Sequence, residues 1–260
     1  MKVGVGELAP DLEPGSTAWQ GIAERVRRER PALFLLGEMP FGSWIAAGEV
    51  ADPARFDQLC LLHERGLAGL DDLGAGVVLG TRPRRHEGRP VNEGFVWTKE
   101  TGARAAHAKQ YFPDERGYHE ARWFEAGERH FRVVEAGAAR AGFLICTEVM
   151  FNEHARRYGR EGAELIVVPR ATGRESLSRW LVALRMAAIV SGCYLLSSNR
   201  GGRDLNGQVF GGCGWIIDPR GEVLCQTSAA SPLAFCDLDL GCVRTAQAEY
   251  PCYVRELVIS

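Results

Sequence analysis

Residues 32–36 (Ala-Leu-Phe-Leu-Leu) are apolar at every position. A strand without alternation is buried on both faces, so this chain needs a sheet covered on both sides. Phe143 to Ile145 form a second buried run, and residues 76–81, 163–168 and 194–198 read as further strands. Helical patterns lie between them. In 17–30 the apolar positions Trp19, Ile22, Ala23 and Val26 share one face, behind Ser16 as an N-cap. Residues 52–70 open with Pro53 near the first helical position, and 176–191 read as another helix. Strands alternating with helices predict an α/β fold.

Composition narrows the possibilities. A chain of 260 residues buries one large core, and a single domain over 1–260 is expected. The formal charge of −2 carries no basic footprint for nucleic acid, so no such partner is expected. No apolar run reaches the ~18 residues of a membrane span. Residues 1–5 enter a strand-like segment without a signal-peptide pattern, which predicts a cytoplasmic protein. The eight cysteines form no C-x-x-C pair, and no His sits at zinc-ligand spacing, so reduced thiols and no metal are expected. Lysine occurs only at Lys2, Lys99 and Lys109, while the other 28 basic residues are arginine. A lysine in mid-chain here suggests a place that needs a compact ammonium.

Polar residues follow several of the strands directly. Residues 32–36 run into Gly37-Glu38, and 104–111, the second arm of a hairpin with 91–98, delivers Lys109. Phe143–Ile145 stops at Cys146, and an amphipathic helix from Phe151 to Tyr158 follows. A strand-to-helix turn lifts a nucleophile out of the sheet and aims helix N–H groups at it. If the three strands are neighbours, an acid, an ammonium and a thiol meet at one rim. A thiol with an ordinary pKa near ~8.5 needs a base or a cation beside it to attack at neutral pH. Residues 113–128 form a long polar and aromatic loop, a length that favours function. Two other motifs fail. Gly4-x-Gly6 is followed by Pro10 and Pro14, which bar the helix of a dinucleotide site. Gly211-Gly212-Cys213-Gly214-Trp215 has the wrong order for a papain-type nucleophile.

Together these pieces resemble the nitrilase superfamily of carbon–nitrogen hydrolases. The matching stretches are Leu35-Leu36-Gly37-Glu38-Met39-Pro40, His107-Ala108-Lys109-Gln110-Tyr111-Phe112-Pro113 and Leu144-Ile145-Cys146-Thr147-Glu148, with support from 162–169, 197–200 and 216–223. The resemblance implies an α-β-β-α sandwich that pairs into a four-layered dimer, with the helices after Cys146 and Pro169 at the interface. It implies a Glu38-Lys109-Cys146 triad, with His119-Glu120-Ala121-Arg122-Trp123-Phe124 supplying Glu120 as a second glutamate. It implies an acyl-enzyme mechanism without cofactor, in which Lys109 and the Thr147 N–H hold the oxyanion.

For substrate, the resemblance implies a small amide or N-carbamoyl compound. Thr147 stands where nitrile-hydrolysing members carry Trp, and Val149 and Met150 stand where N-carbamoyl amino acid hydrolases carry arginines. A nitrilase is one alternative, and a catalytically silent binding protein is another. The pocket is expected to include Thr147, Met150, Ala171 and Thr172. Phe41, Trp44, Tyr111 and Met150 are expected as apolar walls, and Arg170 as the group that grips a polar or anionic end of the substrate.

Overall fold

The computed structural model describes residues 1–128 and 130–256. The last four residues of the domain expected over 1–260 lie outside them. In chain order the elements are β1 (Lys2–Leu8), α1 (Thr17–Glu29), β2 (Leu33–Leu35), α2 (Pro53–Ala68), β3 (Val77–His86), β4 (Arg89–Thr98), β5 (Gly102–Ala108), α3 (Glu120–Trp123) and β6 (Val134–Ala136). Then come β7 (Ala139–Phe143), α4 (Asn152–Arg160), β8 (Leu165–Pro169), α5 (Leu177–Ser191), β9 (Tyr194–Arg203), β10 (Val209–Gly211), β11 (Trp215–Ile217), β12 (Val223–Gln226), β13 (Leu233–Asp237) and α6 (Gly241–Ala248).

The strands follow the path β5-β4-β3-β2-β1-β9-β8-β7-β6. The β1–β9 step is narrow, pairing only Glu7 with Asn199 and Leu8 with Arg200. Two sheets therefore meet at one edge and fold face to face. Val5, Leu35 and Leu79 from one pack with Phe143, Val167 and Leu196 from the other in a single buried cluster. Gly94 makes the close approach possible, since a Cβ there would stand 2.9 Å from the Phe143 ring. The outer faces are covered by helices. Phe34, Leu36 and Val78 pack under Trp19, Ala23 and Val26 of α1. Ile166, Val168 and Leu195 pack under Tyr158 of α4 and Leu184 and Ala188 of α5. The result is the α-β-β-α sandwich, and it explains why β2 and β8 are apolar throughout.

Several elements differ from what local composition alone suggests. Residues 83–90 do not form a broad turn: β3 and β4 stay paired as far as His86 and Arg89. The polar side chains there, such as Arg84 and Arg85, are exposed, so their composition resembled a loop. β6 is short and begins at Val134, and the segment after Gly241 holds α6, whose buried face is Val243 alone. The strands that lead to Glu38, Lys109 and Cys146 are not ladder neighbours. β3 and β4 separate β2 from β5, and β7 belongs to the opposite sheet. The three side chains meet because the two sheets are stacked. Among the described residues no helix is long and apolar enough to cross a membrane.

Candidate active site

Glu38 lies just past β2, where the backbone has left the ladder and its carbonyls need other donors. The buried Arg200 supplies them. Its Nε donates to the Glu38 carbonyl at 3.2 Å and its Nη1 to the Gly42 carbonyl at 2.8 Å. Met39 follows with a φ of 43°, and its N–H donates to Thr81 Oγ1 at 2.8 Å. The turn is thus held rigidly, and the Glu38 carboxylate points inward.

Lys109 directly follows β5, and its N–H donates to the Asn92 carbonyl of β4 at 2.9 Å. Its Nζ donates to Glu38 Oε1 at 2.7 Å and to Glu120 Oε2 at 2.6 Å. Asn92 Nδ2 donates to the same Glu38 oxygen at 2.8 Å. The other oxygen, Glu38 Oε2, is buried and has no hydrogen-bond partner among the described residues. Burial works against the Lys109 charge, yet Glu120 and Glu38 overcome it and raise its pKa, so it remains an ammonium. Burial pushes Glu120 the other way. With Glu38 adding to the shift and Lys109 opposing it, the Glu120 carboxyl reaches about 8.

Cys146 begins a one-turn 3-10 segment, Cys146–Met150, with a φ of 50°. A left-handed backbone at a non-glycine residue is strained, and it persists only where surrounding bonds impose it. Here they come from Glu148, which sequence reasoning left without a role. Its Oε2 accepts the Ile145 N–H at 2.7 Å, and its Oε1 accepts the Gln110 N–H at 2.7 Å. It also receives His107 Nε2, 2.8 Å from Oε2. Burial alone would lower the His107 pKa, but the Glu148 carboxylate raises it. The residues flanking Lys109 are thereby bolted to the turn that carries Cys146. The Cys146 thiol is buried. Burial raises its pKa, Glu38 adds to this and Lys109 opposes it, so it rests as a neutral thiol. A buried thiol, an open carboxylate oxygen and an ammonium are the parts that proton-coupled nucleophilic attack requires.

A cavity of about 140 Å³ opens beside Cys146 and Glu120. Thr147, Met150, Ala171 and Thr172 line it, as do Glu115 and Tyr118 of the long 113–128 loop and Arg179, which the sequence did not single out. The other pocket expectations are corrected. Phe41 faces the helix layer, edge-on to Trp19, and fills the space left by the missing side chain of Gly66 in α2. Trp44 packs against Phe210 and gives its indole N–H to the Gly117 carbonyl. Tyr111 stacks on Phe151 with centroids 4.0 Å apart. Arg170 is buried but does not line the cavity. Its guanidinium donates to Ser197 Oγ, Thr172 Oγ1 and the Cys213 carbonyl, over the Trp215 ring. Among the described residues no set of three His, Cys, Asp or Glu side chains is arranged to hold a metal ion.

Comparison with known proteins agrees with this architecture. The family model described as carbon-nitrogen hydrolase matches residues 6–248. A probable hydrolase, nit2, of Schizosaccharomyces pombe is 34% identical over 129 residues, which cover 48% of this chain and 47% of that protein. N-carbamoylputrescine amidase of Arabidopsis thaliana is 30% identical over 151 residues, covering 52% and 50% respectively. The chain thus spans about half the length of these relatives. In fold, a carbon-nitrogen hydrolase from Helicobacter pylori G27 superposes with a TM-score of 0.85 at 22% identity, over 97% of this chain and 94% of that one. With the family model matched along nearly its whole length, the chain belongs to the carbon-nitrogen hydrolase family.

Proposed function

We propose that this protein hydrolyses the carbon–nitrogen bond of a small amide or N-carbamoyl compound through a thioester on Cys146. One observation carries the reading: the buried Glu38 Oε2, left without a partner beside a buried thiol and an ammonium. The similarity to N-carbamoylputrescine amidase also supports it. As the Cys146 sulfur attacks the amide carbon, its proton passes to Glu38 Oε2 and the carbonyl electrons move onto oxygen. Lys109 and the Thr147 N–H stabilise that oxyanion. Collapse breaks the C–N bond, and Glu38 returns the proton to the leaving nitrogen. Water then gives a proton to Glu38 and attacks the thioester carbon. The C–S bond breaks, and the sulfur regains the proton as the acid departs. Glu120 orients Lys109 and the substrate.

The pH dependence tests the site. A neutral Glu120 leaves the pocket with one carboxylate against one ammonium, whereas an ionised Glu120 adds negative charge beside the oxyanion. Because burial lifts Glu120 to about 8, kcat/KM should fall as pH rises through that value. Ammonia release measured from pH 6 to 9.5 (about 3.5 units) checks this. In Glu120→Gln the alkaline fall at that pH should vanish, and a fall that persists unchanged assigns it to another group.

We further propose a homodimer whose interface includes α5. Val182 and Met186, one turn apart on that helix, are 67% and 43% exposed. Light scattering should give twice the chain mass for the wild type and the single-chain mass for Val182→Asp/Met186→Asp. A wild type of single-chain mass rules the dimer out.

A further inference from the structure

The cavity beside Cys146 has charges on its rim that the mechanism does not use. Glu115 and Arg179 both line it, and both are exposed. Among the described residues, neither side chain forms an ion pair or a hydrogen bond. Each is carried on a fixed piece of backbone. Glu115 and Tyr118 exchange backbone hydrogen bonds of 3.3 and 2.8 Å. Arg179 lies on α5 next to Trp180, whose indole N–H is tied to Ser176 Oγ at 3.1 Å. Tyr118 also lines this space. The Tyr118 hydroxyl is buried and, although close to Gln208, forms no hydrogen bond among the described residues. Burial raises its pKa to about 12, so it keeps its proton.

The volume, about 140 Å³, falls below the roughly 300–1,000 Å³ of pockets for drug-sized ligands, so the occupant is small. An occupant with only a carboxylate would meet Arg179 but be repelled by Glu115. One with only an ammonium would meet Glu115 and be repelled by Arg179. An occupant carrying both satisfies the two walls, and each unmatched charge discriminates against the alternatives.

Resting on the amidase reading, we propose that the substrate is the side-chain amide of a small α-amino acid. Its carboxylate is held by Arg179 and its ammonium by Glu115, and its amide carbon is presented to Cys146. The bonds made and broken are those of the hydrolysis given above.

The test uses the full chain and amides of one length in four forms: zwitterionic, carboxylate only, ammonium only and neutral. The zwitterionic amide should have a kcat/KM at least about tenfold above each of the others, chiefly through KM. Arg179→Ala should cut the preference for carboxylate-bearing over neutral amide at least about tenfold, and Glu115→Gln should do the same for ammonium-bearing over neutral amide. A neutral or singly charged amide as best substrate overturns the inference, as do preference ratios unchanged in both variants. If no amide is hydrolysed, the amidase reading fails by itself. Calorimetry of the zwitterionic amide with Cys146→Ala then decides the inference separately. Binding that Arg179→Ala weakens at least about tenfold upholds the site, and absence of binding overturns it.

Discussion

Lys109→Met will destabilise the protein by about 3–5 kcal/mol at pH 8 and abolish its turnover. In the wild type the ammonium lies between Glu38 and Glu120, at 2.7 and 2.6 Å, with all three side chains buried. Removing it leaves two carboxylates facing each other without a counter-charge, and Asn92 is the remaining donor to Glu38. The loss depends on pH in a definite direction. Glu120 already has a raised pKa, and without the opposing Lys109 charge it will hold its proton still more tightly in the folded state. Such groups stabilise the fold below their unfolded pKa, and that contribution is lost as pH rises through the folded one. The deficit of the variant should therefore shrink as pH falls from about 8 to about 5. Urea unfolding at the two pH values measures it, and an equal deficit at both would mean that the carboxylates are already neutral. Lys109→Arg should keep the charge and still be inactive, because a planar guanidinium does not fit a slot made for a point charge.

Glu148→Ala should cost at least about 3 kcal/mol and lower the melting temperature by roughly 6–12 °C. Its carboxylate accepts the backbone N–H groups of Ile145 and Gln110, each at 2.7 Å, and it faces His107. Without it those buried donors are orphaned, and the Cys146 turn loses what holds it at a φ of 50°. Ammonia release should fall at least about 100-fold even at temperatures where the variant is folded, since small misplacements of reacting groups are costly. Circular dichroism melts and the release assay together check this. A stable variant with wild-type turnover would show that Glu148 does not position the site.

Much of this was legible in the sequence for a physical reason. Strands β2 and β8 are buried on both faces, so they have to be apolar throughout, and the polar residue that ends such a run lies at a rim. That logic brought Glu38 and Cys146 forward, and the hairpin arm, the scarcity of lysine and the resemblance in motif order added Lys109. What failed was orientation. Phe41 and Trp44 are close to Glu38 along the chain but face the helix layer and the back of the Glu38 turn. Arg170 stands at a strand end like Glu38, yet neighbouring oxygens take up its guanidinium. Glu148 was visible as a residue two places after Cys146, but two of its partners, His107 and Gln110, lie about forty positions upstream, and no local pattern encodes that bond. Glu115 lies in the 113–128 loop whose length favoured function, whereas Arg179 had no motif around it and gained meaning only from the cavity that they share.

The central claim is that Cys146 makes and breaks the covalent bond. Its most direct test compares the wild type with Cys146→Ala for ammonia release from a pool of small amide and ureido compounds. The wild type should release ammonia from at least one compound. In Cys146→Ala that release should drop to the uncatalysed background, while the melting temperature moves by only about 2–4 °C, as expected for a loss of about 1 kcal/mol. Release by Cys146→Ala at the wild-type rate, or a wild type that releases none from any compound, would contradict the account.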